Sequence, residues 1–211
     1  MPGHRRGSER IAANPTLQRA PTNPAGPTRL RWTRKEYYEV AAAGLFDGRR
    51  VELIRGEIVE MSPQRSPHAG AIAMADELLR RVFKKGFVIR VQMPLEIGKD
   101  SDPEPDLAVV RGTAREQARA HPSTAELVIE VAESSLDYDR TTKGSLYAEA
   151  RIPEYWIVNL IDGVVEVYRN PIREARGVRF SYSSMERVPI GKTIVPLAAP
   201  RARVKVRDLI P

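Results

Sequence analysis

Three side chains in the middle of the chain have the types and spacing needed to hydrolyse a phosphodiester bond. Asp106 precedes the apolar run LAVV, Glu130 lies inside the apolar run LVIEV, and Lys143 follows in a segment of helical propensity. If the two runs form neighbouring strands, the carboxylates can converge on one cation, and oxygen ligands suit Mg²⁺ or Mn²⁺. A nearby lysine can position or help deprotonate an attacking water and offset charge at the phosphate. The pattern predicts a metal-dependent phosphodiesterase site.

Each of these residues also has a plain structural interpretation. Asp106 could cap a turn, and Glu130 could face solvent on an edge strand. Lys143 alone could be a solvated helix lysine. An acid inside an apolar strand is costly unless it is paired, metal-bound or exposed. The combination of both acids with Lys143 is what favours the metal site.

Local patterns predict the elements that would position these groups. Thr33 and Glu36 form a capping-box signature for a helix that ends at Gly44. The segment RVELIRGEIVEM is typical of two short strands that turn about Gly56. The segment SPHAGAIAMADELLRRVFKKG has apolar residues at helical spacing and ends at Gly86.

The second half of the chain indicates a sheet covered by helices. FVIRVQMPLEI, LAVV and ELVIEV are predicted strands, DRTTKGSLYAEAR is a predicted helix that ends before Pro153, and EYWIVN with VVEVYRN forms a hairpin about Asp162-Gly163. Further short strands are predicted from Gly177 onward. This order predicts a mixed α/β (α+β) fold, in which a mixed sheet is flanked by helices and carries additional hairpins.

Composition limits the possible classes of protein. The 211 residues suffice for one domain, predicted over residues 30–211, and the proline- and arginine-rich residues 1–29 are predicted to be a disordered leader. The chain has no cysteine, which excludes thiolate zinc sites and cysteine nucleophiles. It has neither an apolar run long enough for a membrane span nor a secretory signal, so we expect a cytoplasmic protein.

The net charge of +7 is unevenly distributed. Residues 1–31 carry six arginines and one glutamate, so they contribute 6 − 1 = +5 of it. A second basic cluster near the C-terminus has alternating spacing, as on one face of a charged edge strand: Arg201, Arg203, Lys205 and Arg207. Because the rest of the chain is almost neutral, basicity alone is weak support for DNA binding.

Several of these segments together resemble a known family. TRKEYYE, VELIRGEIVEMSP, SPHAGAI, PEPDLAVV, ELVIEVAESS and above all KGSLYAEARIPEYWIVN are similar to the Uma family of bacterial endonucleases in the PD-(D/E)XK superfamily. The resemblance extends from Leu30 to Leu209. It implies a restriction-endonuclease-like core, Mg²⁺-dependent hydrolysis of DNA and a homodimer.

The resemblance also assigns roles to residues. Asp106 and Glu130 match the metal-binding acids, and Val131 could add its backbone carbonyl. The superfamily lysine usually stands two residues after the acid, where this chain has Ala132. Lys143 would then supply the amine from the following helix.

Three further positions match family features. Glu52 resembles an additional acid near the metal, and Glu57 competes with it for that role. His68 could contact a phosphate or a water, or it could be packed locally at a helix start. Gln92 could line the site or lie on a plain strand surface.

The leading hypothesis is therefore a Mg²⁺- or Mn²⁺-dependent DNA endonuclease. The rival hypothesis is a non-catalytic nucleic-acid-binding or protein-interaction module on the same fold, and a third is the same chemistry on RNA or a small phosphoester. Tyr147, Tyr155 and Trp156 could stack on bases, but their apolar surroundings in the sequence favour core packing.

Overall fold

A six-stranded mixed sheet forms the centre of the protein. The computed structural model describes residues 28–174 and 179–211. The strand order is β3-β4-β5-β6-β7-β8. The six strands are β3 Phe87–Val91, β4 Leu107–Arg111, β5 Leu127–Ala132, β6 Glu154–Asn159, β7 Val164–Arg173 and β8 Phe180–Pro189.

The middle of this sheet is buried on both faces. Strand β5 pairs antiparallel with β4 and parallel with β6, and the other neighbouring pairs are antiparallel. Every residue of β5 and β6 is buried, as their continuous apolar runs require. The predicted mixed sheet flanked by helices is confirmed.

Two small antiparallel pairs lie outside the central sheet. One is the hairpin of β1 and β2, and the other joins β9 to β10 near the C-terminus. Their bounds are β1 Val51–Ile54, β2 Glu57–Glu60, β9 Thr193–Ile194 and β10 Val204–Lys205.

Helices cover the two faces of the sheet, and Glu130 points towards one of them. They are α1 Arg34–Ala42, α2 Ser66–Val82, α3 Ala114–Gln117, α4 Leu136–Tyr138, a π-helical turn Asp139–Lys143, α5 Gly144–Glu149 and a 3₁₀ turn Val206–Asp208. Helix α2 packs on the face that carries Ile129, whereas α5 packs on the face that carries Val128. Since successive strand residues alternate between faces, Glu130 points to the α5 side.

The predicted local signals near the N-terminus are confirmed. The side chain of Thr33 caps α1, and Glu36 completes the capping box. Gly56 joins β1 to β2 with a φ of 75°. A Cβ at position 56 would lie 2.8 Å from the Cβ of Arg31, so the hairpin needs glycine there.

The prediction for the C-terminal part is only partly right. Strands β9 and β10 are short, as predicted, but β8 is a single strand of ten residues. Its sequence, FSYSSMERVP, is polar and lacks a clean apolar alternation, but pairing with β7 along almost its whole length supplies the missing stabilisation. Strand β3 is also shorter than predicted, because the chain leaves the sheet at Gln92, where φ is 49°.

The basic cluster near the C-terminus does not form one face of a strand. Arg201, Arg203, Lys205 and Arg207 are all exposed, but only Lys205 lies in a strand, because β10 has two residues and a 3₁₀ turn follows. Residues 1–27, which include most of the predicted leader, and residues 175–178 lie outside the described part of the chain. The division into a leader and one domain stays a prediction.

A buried ion pair ties the helix that carries Lys143 to the sheet. Glu166 on β7 is fully buried and accepts hydrogen bonds from Arg140 of the π-helical turn, Tyr168 and Asn159. Burial by itself would raise the pKa of Glu166, but these donors lower the pKa to about 2. The carboxylate therefore stabilises the fold only while it is ionised.

We predict that Glu166 makes the protein sensitive to acid. Its pKa is depressed below the usual value of 4.5, so its stabilisation is present above pH 4.5 and is lost as the pH falls towards 2. Between pH 5 and pH 3 this shift alone implies a loss of about 2 kcal/mol, and we expect about 1 kcal/mol because solvent screens the partly exposed Arg140. Urea unfolding at several pH values should show a steeper decline for the wild type than for Glu166→Gln. Parallel declines would contradict this account.

Candidate active site

The pairing of β4 with β5 brings Asp106 and Glu130 together. Leu107 lies opposite Ile129, so the antiparallel register continued by one residue sets Asp106 opposite Glu130. The backbone N–H of Asp106 donates to Glu130 Oε2 at 3.2 Å. Asp106 is 8% exposed and Glu130 only 3%. Because β5 is an interior strand, the alternative of a solvent-facing Glu130 on an edge strand is wrong.

The backbone of Val131, the residue after Glu130, contacts Asp106. Its N–H donates to Asp106 Oδ2 at 2.9 Å. In a β-strand the N–H and C=O of one residue point to the same side, so the carbonyl of Val131 also faces the Asp106 side of β5.

Lys143 reaches the two strands from the following helix. It is 1% exposed, and its Nζ donates to Glu130 Oε1 at 3.0 Å and to Glu52 Oε1 at 3.3 Å. Position 132, where the superfamily lysine usually stands, is a fully buried alanine on the same face of β5. The amine thus lies beside the acid although it comes from another element.

The helix type changes at Lys143. The helical segment is interrupted by the π-helical turn Asp139–Lys143, and such turns occur frequently at functional sites. Gly144 directly after the turn allows this close packing, since a Cβ there would lie 3.2 Å from the carbonyl oxygen of Asp139.

The structure separates the two competing acids of the first hairpin. Glu52 on β1 is 2% exposed and faces Lys143. Its Oε2 lies 3.2 Å from Lys143 Nζ but has no hydrogen-bond partner. The side chain of Glu57 on β2 is 55% exposed and forms an ion pair with Arg31 at 3.7 Å, away from the buried acids. Glu52 therefore lies at the site and Glu57 does not.

His68 and Gln92 both contact Asp106. His68, in the first turn of α2, places Nε2 3.4 Å from each carboxylate oxygen of Asp106. Gln92 donates from Nε2 to Asp106 Oδ1 at 3.1 Å. Strand β3 ends just before Gln92, whose φ is positive, and the side chain of Gln92 reaches Asp106. The alternatives of local packing for His68 and a plain strand surface for Gln92 do not describe these contacts.

Two residues at this site were not among the predicted site residues. Asp139 is 3% exposed and accepts from the hydroxyl of Ser135 at 2.5 Å. Tyr147 donates to Glu130 Oε1 at 2.6 Å, while its ring packs on Tyr155 in the core. Asp139, Lys143 and Tyr147 are four residues apart in turn, so the periodicity of the helix could have revealed them.

The core prediction for the aromatic residues is confirmed. The side chains of Tyr147, Tyr155 and Trp156 are fully buried. None of the three offers a ring surface to solvent, so base stacking by them is excluded in this conformation.

The buried groups surround a small cavity with excess negative charge. Its volume is about 50 Å³. The ionisable side chains that line it, apart from His68, are the acids Glu52, Glu104, Asp106, Glu130 and Asp139 and the bases Arg50 and Lys143. If all of these were ionised, the excess would be 5 − 2 = 3 negative charges. Such an excess in a buried site is unfavourable unless protons or another cation neutralise it.

The pKa values of these groups reflect the excess of negative charge in the cavity. Burial, with the charge of Glu130 added, raises the pKa of Glu52 to about 7 and that of Asp139 to about 7. For Asp106, burial opposes ionisation, but the contacts with His68, Val131 and Gln92 win and lower its pKa. The hydrogen bond to Asp106 in turn raises the pKa of His68. Asp106 is thus the acid most readily ionised.

Lys143 is the cation that these acids share. Burial would lower its pKa, but the charges of Glu130, Glu52 and Asp139 outweigh burial and raise it. The same lysine limits the rise in the pKa of Glu130 that burial causes. Lys143 and Glu130 therefore stabilise each other's charged forms.

The side chains of the cavity are of the types that bind a hard divalent cation, but they are not arranged around a common point. Carboxylate oxygens are the ligands that Mg²⁺ and Mn²⁺ prefer, and Glu52 Oε2 is a buried oxygen that lies 3.2 Å from Lys143 Nζ but accepts no hydrogen bond from it. Within residues 28–174 and 179–211, however, no three acidic, histidine or cysteine side chains are arranged as ligands around one point. Glu130 and Glu52 converge on the ammonium group of Lys143 instead.

The six-stranded sheet carries Asp106 directly before β4 and Glu130 on β5, with Lys143 beside Glu130. The chain belongs to the Uma2 family, described as "Putative restriction endonuclease", whose model matches residues 34–199. This confirms the resemblance found in the sequence. No curated protein matches the chain.

A solved structure shows the same fold. It is described as a "putative nuclease belonging to DUF820" from Anabaena variabilis, and it is 17% identical in sequence. The superposition has a TM-score of 0.62 and covers 84% of this chain and 97% of the other. Among the described residues, none of the helices is both long enough and apolar enough to cross a bilayer.

We predict that Lys143 stabilises the folded protein. Lys143→Met would leave Glu130 and Glu52 without their shared cation, and breaking a buried ion pair from one side costs about 3 kcal/mol. Urea unfolding at pH 7 measures the loss. The exposed Lys192 gives a matched control, and Lys192→Met should change stability by less than about 0.5 kcal/mol. Equal effects of the two substitutions would refute the role of Lys143 as the central counter-charge.

Proposed function

We propose that this protein is a divalent-metal-dependent endonuclease that hydrolyses phosphodiester bonds of DNA at the acidic cavity. The observation that carries the proposal is the convergence of Asp106, Glu130 and Lys143 in one buried cavity. Membership of a restriction endonuclease family supports a nuclease. The excess of acidic side chains supports the requirement for a cation.

Asp106 and Glu130 would hold the metal ion, with the carbonyl of Val131 as a third oxygen ligand. Glu52 lies on the other side of Lys143 and would orient the first ion or support a second. When bound, the ion, Mg²⁺ or Mn²⁺, would supply positive charge to polarise the phosphate and to favour ionisation of the attacking water. Glu130 Oε2 accepts one hydrogen bond, from the backbone of Asp106, and would keep a lone pair for the ion.

The surrounding residues position these acids. Gln92 and His68 hold Asp106 Oδ1, and Tyr147 holds Glu130 Oε1. The ammonium group of Lys143 orients the attacking water and offsets charge at the scissile phosphate. Such groups commonly change metal affinity about 10- to 100-fold when removed.

A second candidate function is a module that keeps the fold without catalysis. One observation favours it: both carboxylate oxygens of Asp106 and both of Glu130 already accept hydrogen bonds within the chain. If these bonds are stronger than the attraction for a cation, the site stays closed by Lys143. Metal binding therefore separates the two functions.

The nucleic acid and the assembly state are further parts of the proposal. DNA is the proposed substrate, and a homodimer would provide the two sites that cutting both strands commonly uses. Sedimentation with and without DNA tests the homodimer, and monomers in both conditions would contradict it.

We predict that Mn²⁺ binds and that the binding depends on Asp106 and Glu130. Asp106→Asn and Glu130→Gln each remove one negative oxygen ligand, so the dissociation constant should rise about tenfold or more. Isothermal titration calorimetry measures it. Glu57→Gln is the matched control, because this acid belongs to the same hairpin as Glu52 but is exposed. Absence of Mn²⁺ binding by the wild type would favour the non-catalytic module.

We predict that the protein cleaves DNA in Mg²⁺ or Mn²⁺ and that EDTA abolishes the cleavage. Asp106→Asn and Lys143→Met should reduce the rate at least about 100-fold, because one removes a ligand and the other a charge at the phosphate. The assay uses supercoiled, linear and single-stranded DNA, with Glu57→Gln as control. Cleavage that persists in Asp106→Asn would identify a contaminating nuclease.

A further inference from the structure

A groove opens directly beside the acidic cavity. One wall is formed by residues 59–65 and the other by residues 133–135 with Tyr138, and its volume is about 610 Å³. This is within the range of small-molecule sites, roughly 300–1,000 Å³. Met61, Ser62, Gln64, His68 and Ser135 line both the groove and the cavity, so the two spaces adjoin. We call it the Tyr138 groove.

The charges of this groove do not suit a phosphate backbone. Apart from His68, its ionisable side chains are Arg65, Glu60 and Glu133, which sum to 1 − 2 = −1. Arg65 is already paired with Glu133 at 3.8 Å. A surface that follows phosphates needs several free basic groups. The rest of the lining is uncharged, with hydroxyl and amide groups from Ser62, Gln64 and Ser134, which suit a neutral polar ligand.

Tyr138 contributes the aromatic surface of the groove. The residue is half-buried, but its hydroxyl oxygen is buried and has no hydrogen-bond partner. Since Tyr138 lines the groove with its hydroxyl buried, its ring and backbone are the parts that can face a ligand there. In the nuclease site an aromatic ring beside amide and hydroxyl groups is the combination that holds an unpaired base, because a base stacks on a ring and presents polar edges.

We propose that the Tyr138 groove holds an unpaired nucleobase next to the scissile phosphate, stacked on Tyr138, so that the preferred substrate is single-stranded or locally unpaired DNA. This inference rests on the proposed function for the location of the phosphate. The two parts of the nucleotide differ in charge, and so do the cavity and the groove. The anionic phosphate goes to the acidic cavity with the cation, and the neutral base goes to the neighbouring groove.

The test uses Tyr138→Leu and Tyr138→Phe. Leucine fills much of the same space without an aromatic face, whereas phenylalanine keeps the face and removes the unpartnered hydroxyl. The probes are a single DNA strand, its perfect duplex, and the duplex with one unpaired 2-aminopurine. Binding is measured by fluorescence in Ca²⁺ and hydrolysis in Mn²⁺. Thermal unfolding and Mn²⁺ calorimetry show whether each variant keeps its fold and its metal site.

We expect the wild type and Tyr138→Phe to bind the single strand and the unpaired site about tenfold more tightly than the duplex, and Tyr138→Leu to lose most of this preference. A wild type that does not discriminate, or a Tyr138→Leu variant that keeps the preference, overturns the inference. Hydrolysis that needs Asp106 but ignores base pairing and Tyr138 leaves the nuclease intact and refutes the groove. A Tyr138-dependent preference in binding without hydrolysis of any probe supports the groove and refutes the nuclease.

Discussion

The buried ammonium group of Lys143 is the interaction on which the site depends. Glu130 and Glu52 approach it from two different parts of the chain, a sheet strand and an N-terminal hairpin. Without a cation between them, these carboxylates would repel each other in a space that water barely enters. Lys143 thus supplies part of the charge that the folded state needs. It does not supply all of it, since Glu52 and Asp139 keep pKa values near 7.

The fold can be understood as the set of elements that holds this lysine in place. The antiparallel register of β4 and β5 sets Asp106 against Glu130, and the parallel step from β5 to β6 requires a crossover helix on one face of the sheet. That helix carries Lys143. Its π-helical turn is anchored from the outside by the ion pair of Arg140 with Glu166. One helix therefore closes the parallel step, delivers the counter-charge and brings Tyr147 to Glu130.

The sequence was most informative where one residue type is out of place in its surroundings. Glu130 is an acid in an apolar run, and the structure has a buried strand with a buried acid there. The capping box at Thr33 and the turn at Gly56 were equally readable, because each is decided by contacts a few residues apart. The choice between Glu52 and Glu57 was not, since both lie on short strands of similar sequence and only tertiary packing separates them. The length of strand β8 could not be predicted for the same reason, because its pairing with β7, rather than its own sequence pattern, makes it one long strand.

The acidic cavity and the neutral groove beside it impose different demands on a nucleic acid. A cavity of about 50 Å³ surrounded by carboxylates would repel a phosphate unless a cation neutralised their charge, so the proposed function requires metal binding before or during the entry of substrate. The groove of about 610 Å³ carries little charge and has no such requirement. Binding of the base can therefore be independent of the metal, while hydrolysis cannot. A mutation in the groove should then alter which nucleotide is presented to the cavity, and a mutation in the cavity should alter whether the presented bond is cut.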